Sequence, residues 1–254
     1  MGKLRGRVAV VTGGSRGFGR AIALAYAREG ADVAVNYATA AAEAEKVVGD
    51  VQALGHRAMA VQADVAREDD VKRMLAAILD TFGHIDVLVN NAGIMVRGHF
   101  LDIPVAHYDR MMEINVKGTM LCTFHALPAM RARRYGRIIN LSSQLANLGS
   151  LGSGAGFAAY AASKGAVSSF TRAIAKEFGH DGITVNAIAA GSIETDMSRD
   201  LMDAEFKARR IAELPVGRMG TVDDVAGAAV FLAAEESGFL TGQIIHASGG
   251  FVMA

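Results

Sequence analysis

The sequence predicts an α/β chain, a doubly wound parallel sheet with helices on both faces. Short β-branched runs alternate with longer alanine-rich segments along its whole length. Several runs are apolar on consecutive residues, as strands buried on both faces are. A glycine-rich turn also follows the first run and opens the first helical segment, the arrangement that ends a strand and begins a crossover. The strand-like runs cover 7–12, 32–36, 57–62, 86–90, 137–141, 184–188 and 243–246. Helical spacing covers 18–29, 40–54, 68–82, 108–133 and 159–178. The alternation leaves no room for a second domain, so 1–254 reads as one unit. One low-complexity stretch, Gly149 to Gly156, is rich in glycine and serine and suits a mobile loop beside a site.

Composition narrows the function. The 254 residues are 51% hydrophobic, ample for a sizeable core and too apolar for disorder. Cys122 is the only cysteine, which excludes a disulfide scaffold. Twenty-six basic residues balance 26 acidic ones, so no broad nucleic-acid footprint is expected. With no Trp and five Tyr, an aromatic carbohydrate-binding face is not expected either. The apolar run after the basic start is only Val8–Val11, too short for a signal-peptide core or a membrane span. The seven histidines are scattered without metal-ligand spacing, and His125 reads as packed or solvated. A soluble cytoplasmic enzyme is the expectation, without membrane, metal or nucleic acid.

The turn reads Thr12-Gly13-Gly14-Ser15-Arg16-Gly17-Phe18-Gly19. Glycine suits it because the chain must turn tightly and let a pyrophosphate approach the backbone. The N–H groups there and the helix N-terminus then face the phosphates. In a dinucleotide site, an acid ending the second strand holds the adenosine 2′-hydroxyl. Here that strand ends Asn36-Tyr37-Ala38-Thr39, with no acid, and Asp32 stands at its other end. Arg16 projects from the turn, where a guanidinium can take a 2′-phosphate through two hydrogen bonds. NADP is therefore expected over NAD.

Tyr160 and Lys164 stand four apart on one helical face. A phenol has a pKa of about 10, and a neighbouring cation favours its ionised form. Lys164, helped by an oxidised nicotinamide, is expected to lower it by two to three units, about 3–4 kcal/mol. Ser142 and Ser143 end the preceding strand, where strand C-termini line a ligand crevice. A serine there can hold the carbonyl oxygen that Tyr160 protonates.

The ordered set resembles the short-chain dehydrogenase/reductase family, in its single-domain branch, over essentially the full length. The turn at 12–19, Ala63-Asp64-Val65, Asn90-Asn91-Ala92-Gly93 and Asn115 in Ile-Asn-Val-Lys-Gly carry the likeness. Ser143, Tyr160, Lys164, Asn186-Ala187-Ile188, Ile193-Glu194-Thr195-Asp196-Met197 and Thr241-Gly242-Gln243 extend it. The resemblance implies a seven-stranded Rossmann sheet, a homotetramer and a reaction interconverting a carbonyl and a secondary alcohol. It implies Asn115, Ser143, Tyr160 and Lys164 as catalytic residues, with Asn115 holding a water in a proton relay through Lys164. It places Gly13, Ser15, Arg16, Gly17, Phe18, Gly19, Asp64, Val65, Asn91, Ala92 and Gly93 on the cofactor, together with Tyr160, Lys164, Ile193 and Thr195. Asp64 and Val65 are expected at the adenine, Ile193 and Thr195 at the nicotinamide side. Ser143, Gln144 and Tyr160 are expected at the substrate.

Three features depart from the family pattern. Ala190-Gly191 replaces the usual Pro-Gly, which is expected to loosen that loop. The step from Ser143 to Tyr160 is longer than usual, so the extra residues must bulge outward. His246-Ala247-Ser248-Gly249-Gly250 replaces a frequent Val-Asp-Gly-Gly. In motif wording the nearest relatives are 3-oxoacyl-[acyl-carrier-protein] reductases. An acidic carrier calls for a basic patch, for which Arg131, Arg133, Arg134 and Arg137 are candidates, against the ordinary reading of cations at a helix C-terminus. A substrate-capping segment is expected at about 194–215. The expected rim, Met95, Val96, Gln144, Leu145, Met197, Leu201, Met202 and Phe206, suits ketones or acyl chains. The rival readings are a broad ketone, steroid or sugar-alcohol dehydrogenase and a non-catalytic NADP-binding partner protein. The intact set of four catalytic residues argues against the last.

Overall fold

The computed structural model describes residues 2–151, 156–199 and 202–253. Seven strands follow in chain order: β1 (Val8–Val11), β2 (Asp32–Tyr37), β3 (Ala58–Gln62), β4 (Val87–Asn90), β5 (Gly136–Ser143), β6 (Ile183–Ala190) and β7 (Ile244–Ala247). They form one sheet in the order β3-β2-β1-β4-β5-β6-β7, with every pairing parallel. The helices are α1 (Gly17–Arg28), α2 (Ala41–Ala53), α3 (Glu68–Phe82), α4 (Val105–Met112), α5 (Thr119–Arg133), α6 (Leu145–Leu148), α7 (Ala158–Phe178), α8 (Ala204–Glu213) and α9 (Val222–Ala233). Among the described residues no helix is long and apolar enough to cross a membrane.

Strand alternation divides the core between the two faces. Ala9 and Val11 point into one layer with Ile22 and Tyr26 of α1, Val47 of α2, and Val225 and Leu232 of α9. Val8 and Val10 point into the other with Met74 and Ile78 of α3, Met130 of α5 and Ala175 of α7. This is the expected Rossmann-like, doubly wound sheet. Its strand order reverses between β1 and β4, which opens a crevice beyond their C-terminal ends. β5 and β6 run further than their apolar runs suggest, because Ser142 and Ser143 continue the ladder against Ala189 and Ala190.

The single helix expected over 108–133 is two helices with a π-helical turn, Glu113–Gly118, between them. The side chain of Asn115 explains where the turn sits. Its Oδ1 accepts from the Ile94 N–H (2.8 Å), and its Nδ2 donates to the Ile94 carbonyl (2.9 Å) and Ser163 Oγ (3.0 Å). A single widened turn barely disturbs helical spacing, so the apolar pattern reads through it.

The β1–α1 turn depends on close backbone approach. Gly13 and Gly17 adopt φ of +59° and +53°, which only glycine enters without strain. A Cβ on Gly19 would stand 2.3 Å from the Gly13 carbonyl oxygen, so α1 can start where it does only without one. Gly19→Ala is expected to destabilise the protein by about 1–3 kcal/mol through overpacking. Gly49, exposed in α2, serves as the contrast, since a Cβ there would meet nothing within 4 Å. Gly49→Ala is expected to stabilise by about 0.5–1 kcal/mol through helix propensity. Urea unfolding of both variants checks the pair, and equal effects would contradict the close-approach account.

Candidate active site

The glycine turn is fastened from the strands on either side of β1. Buried Asn36, in β2, accepts the Gly13 N–H at Oδ1 (3.1 Å) and donates from Nδ2 to the Ala63 carbonyl (3.1 Å). Asn91, just past β4, donates to the carbonyls of Thr12 (2.8 Å) and Gly13 (2.9 Å). Thr12 Oγ1 in turn accepts the N–H groups of Asn91 and Ala92. In the sequence Asn36 marks only the absence of an acid. The available signal for its role is an amide side chain inside a β-branched run.

Beyond this turn lies a cavity of about 540 Å³. Of the expected cofactor residues, Gly13, Ser15, Arg16, Gly17, Phe18, Asp64, Val65, Asn91, Ala92, Gly93, Tyr160, Lys164 and Thr195 line it. Gly19 lies outside that lining, packed on Gly13 and Asn91. Ile193 lines a separate cavity of about 320 Å³ with His246, Arg218 and Asp224. Of the expected substrate rim, Met95 and Met197 face the 540 Å³ cavity, whereas Leu145 is buried against Phe157 and Ala161. Met202 and Phe206 do not line that cavity, and Leu201 lies outside the described residues. Within the expected capping segment, Asp203 caps the N-terminus of α8, its carboxylate accepting the Phe206 N–H (2.7 Å), and Lys207 pairs with Glu194.

Serines 142 and 143 alternate on β5, and the alternation separates their roles. Ser142 borders the cavity, but its hydroxyl is committed to Ser168 Oγ (2.8 Å) and the Lys164 carbonyl (3.1 Å) beneath α7. The Ser143 hydroxyl instead accepts the Leu145 N–H (3.2 Å) and hydrogen-bonds the Tyr160 side chain. Gln144 is buried; its amide nitrogen reaches Ser192 Oγ (3.4 Å), and its Oε1 has no donor among the described residues. Asn115 sits behind Gly93, where a Cβ would stand 3.1 Å from its Oδ1.

Tyr160 and Lys164 occupy the first turns of α7; Lys164 is buried and Tyr160 half-buried. Lys164 Nζ donates to the Leu141 carbonyl (2.7 Å) and lies 5.7 Å from the Tyr160 ring centroid. Burial lowers the Lys164 ammonium to about 8. The Tyr160 phenol is pushed up to about 12 by burial, with the Ser143 hydrogen bond pulling the other way. The expected lowering invoked Lys164 together with an oxidised nicotinamide; in the protein alone burial dominates the phenol. Desolvation of a phenolate outweighs a cation at that distance, particularly one whose own charge burial disfavours.

Charges around the cavity are matched in a particular way. Asp64 is paired with Arg110 (2.6 Å) and Asp196 with Arg199 (2.8 Å). Arg16 is exposed and has no ion-pair partner among the described residues, and no carboxylate occurs at the neighbouring 37–40. The cavity therefore presents net positive charge. Arg110 was missed in the sequence, since α4 meets the β3 end only in the fold.

Ala190, which stands where the family has proline, lies in β6: it pairs with Ser143 and Ala247, and its carbonyl accepts the Gln144 N–H (3.0 Å). The longer step after Ser143 is taken up partly by α6; Gly152 to Ala155 lie outside the described residues. Arg137 cannot dock a carrier protein, because it is buried and stacked on Tyr135 at 4.6 Å. Arg131 is paired with Asp181 and Arg134 donates to the His180 carbonyl, beside the N-terminal end of β5 and away from Ser143 at its other end.

The family described as Enoyl-(Acyl carrier protein) reductase matches residues 13–252. The chain belongs to the short-chain dehydrogenase/reductase family. A 3-oxoacyl-[acyl-carrier-protein] reductase FabG from Staphylococcus aureus is 42% identical over 96% of this chain and 98% of its own. A 3-oxoacyl-[acyl-carrier-protein] reductase from Synechocystis is 41% identical, with both chains covered in full. A solved structure from Agrobacterium tumefaciens, provisionally described as a gluconate dehydrogenase, is 37% identical with TM-score 0.92, covering 99% of this chain and 98% of that one. As a short-chain dehydrogenase/reductase, the protein is an oxidoreductase of CH–OH donors that works with a nicotinamide cofactor. The residues present fit such a group: the cavity has the volume of a cofactor cleft, a glycine turn at one wall and a net positive lining.

Burial of Lys164 makes a prediction for the protein without cofactor. Its folded pKa, about 8, lies below the ordinary lysine value of 10.5 that the unfolded chain retains. Between those values the unfolded chain holds a proton that the folded one has released, so this group adds stability as pH rises through that window. Below it the burial penalty is constant. Lys164→Met is therefore expected to be more stable than the parent at pH 7 by about 1–3 kcal/mol, with the gap closing toward pH 10.5. Denaturant unfolding across that range tests this, and a gap independent of pH would refute it.

Proposed function

We propose that the protein is an NADPH-dependent reductase of 3-oxoacyl thioesters carried on an acyl-carrier protein. The observation that carries this reading is the pairing of Tyr160 and Lys164 at a positively lined cavity, with the Ser143 hydroxyl hydrogen-bonded to Tyr160, in a chain whose full-length relatives bear that name. Bound along the cavity, the reduced nicotinamide supplies a hydride to the carbonyl carbon. Ser143 Oγ–H donates to the substrate carbonyl oxygen and holds it toward Tyr160. Tyr160, protonated at neutral pH because burial holds its pKa at about 12, delivers the proton to that oxygen as charge develops there. The phenolate left behind is stabilised by Ser143 and by the Lys164 ammonium, which the Leu141 carbonyl keeps in place. Asn115, held in the π-helical turn, supports a water between its carbonyl and Lys164 through which the proton is replaced. Arg16 takes the 2′-phosphate. The Met95 and Met197 side chains adapt to the acyl chain.

A panel containing an acetoacetyl thioester, diketones, cyclic ketones and sugar acids, followed by nicotinamide absorbance, tests the reading. Thioester reduction with NADPH is the expected leading activity. Tyr160→Phe should lose at least about a thousandfold in turnover while still binding NADPH. Arg16→Ala should cut the preference for NADPH over NADH by about tenfold to a hundredfold. The Agrobacterium relative gives the second reading, a sugar-acid dehydrogenase. Gluconate oxidation without thioester reduction would establish that alternative and overturn ours.

The same proposal includes a homotetramer. Met120 and Phe124 of α5 lie exposed, as does Phe239. Exposed apolar side chains of this size, two on α5 and one in the turn before β7, suit a second copy. Light scattering at micromolar concentration should return four times the chain mass, and a monomer mass would contradict it.

A further inference from the structure

We propose that Arg110 is a positioning residue of the cofactor cavity. It holds the Asp64 carboxylate in place and cancels its charge where that carboxylate faces a polyanionic dinucleotide. The inference rests on the reading of the cavity as the cofactor site.

Asp64 follows β3, and both of its oxygens are engaged. Oδ1 accepts the Ala66 N–H (3.0 Å) and Oδ2 accepts from Arg110 Nη2 (2.6 Å). Arg110 and Asp64 are 46 residues apart in sequence, so the fold alone brings α4 to this point. Both line the cavity. The other Arg110 nitrogen, Nη1, donates to Glu113 (3.1 Å), an acid that does not line the cavity. Asp70, which accepts the Asp64 N–H (3.1 Å), is matched by Arg67 and Arg73. Among the described residues, Arg110 is thus the only cation paired with the Asp64 side chain. Arg16, the unpaired guanidinium of the glycine turn, remains free for phosphate.

Without Arg110 a bare carboxylate would face the ligand and be free to turn. Like-charge repulsion across a partly solvated cavity is moderate and screened by salt. Arg110→Met, which keeps the apolar stem, should therefore weaken NADPH binding by about tenfold at low ionic strength and by less at high salt. In an Asp64→Asn background the same substitution should cost less than about threefold, because no charge is left to cancel.

Calorimetric titration of NADPH into the parent, both single variants and the double variant closes this cycle. Arg110→Lys provides the conservative control, and should recover most of the affinity lost in Arg110→Met. An equal loss from Arg110→Met in both backgrounds, or none in either, would show that the pairing does not act on the cofactor. If Arg110→Met does not fold, Arg110→Gln and Arg110→Lys are compared in the same two backgrounds, with the same outcomes deciding. Failure of the parent to bind NADPH would overturn the cavity reading along with this inference. Binding by the parent with Arg110 irrelevant overturns this inference alone.

Discussion

The site depends on one close approach, that of α1 to the turn from which it springs. With no side chain on Gly19, the helix starts against the Gly13 carbonyl, and Asn91 reaches that same carbonyl from the end of β4. Asn36 holds the turn from the other side through the Gly13 N–H. Two side-chain amides, buried Asn36 in β2 and half-buried Asn91 just past β4, thus set the turn relative to the sheet. Every later feature of the site is placed from there: Asp64 past β3, Ser143 at the end of β5, and Tyr160 hydrogen-bonded to it on α7. A buried amide such as that of Asn36 suits this task because it offers a donor and an acceptor together, and each finds a backbone partner.

The same burial that orders the site governs its proton chemistry. In the protein alone, desolvation works against both charged forms, raising the phenol of Tyr160 and lowering the ammonium of Lys164. The pair is therefore poised with the proton on the phenol, the starting state for reducing a carbonyl. Lys164 is anchored by a backbone carbonyl and has no carboxylate partner among the described residues. Its charge is thus available to a phenolate when one forms. Around the cavity the opposite rule holds, with each lining carboxylate matched by a guanidinium. Dispersed pairing of that kind leaves the unpaired cations to set the sign of the potential.

Much of the fold was legible because its signals are short-range. Val8–Val11 is apolar at every position, and the sheet buries it on both faces as that pattern requires. The glycine turn and the Tyr160–Lys164 pair were equally legible, since each depends on neighbours within a few residues. The reading failed where a contact crosses the chain. One helix was expected where Asn115, gripping Ile94 and Ser163, produces a π-helical turn. Arg137 read as a surface cation, whereas β5 carries it into the interior against Tyr135.

By itself, then, the sequence determined the order of the seven strands, the glycine turn that follows β1 and the placing of Tyr160 and Lys164 on one helical face. Periodicity and turn chemistry are local, and they survive without knowing what lies across the sheet. Only the tertiary structure decided what occupies the Ser142 hydroxyl, which cation neutralises Asp64 and where the proton rests in the protein alone. Those depend on burial and on distances between segments far apart in the chain, and electrostatic energies change steeply with both.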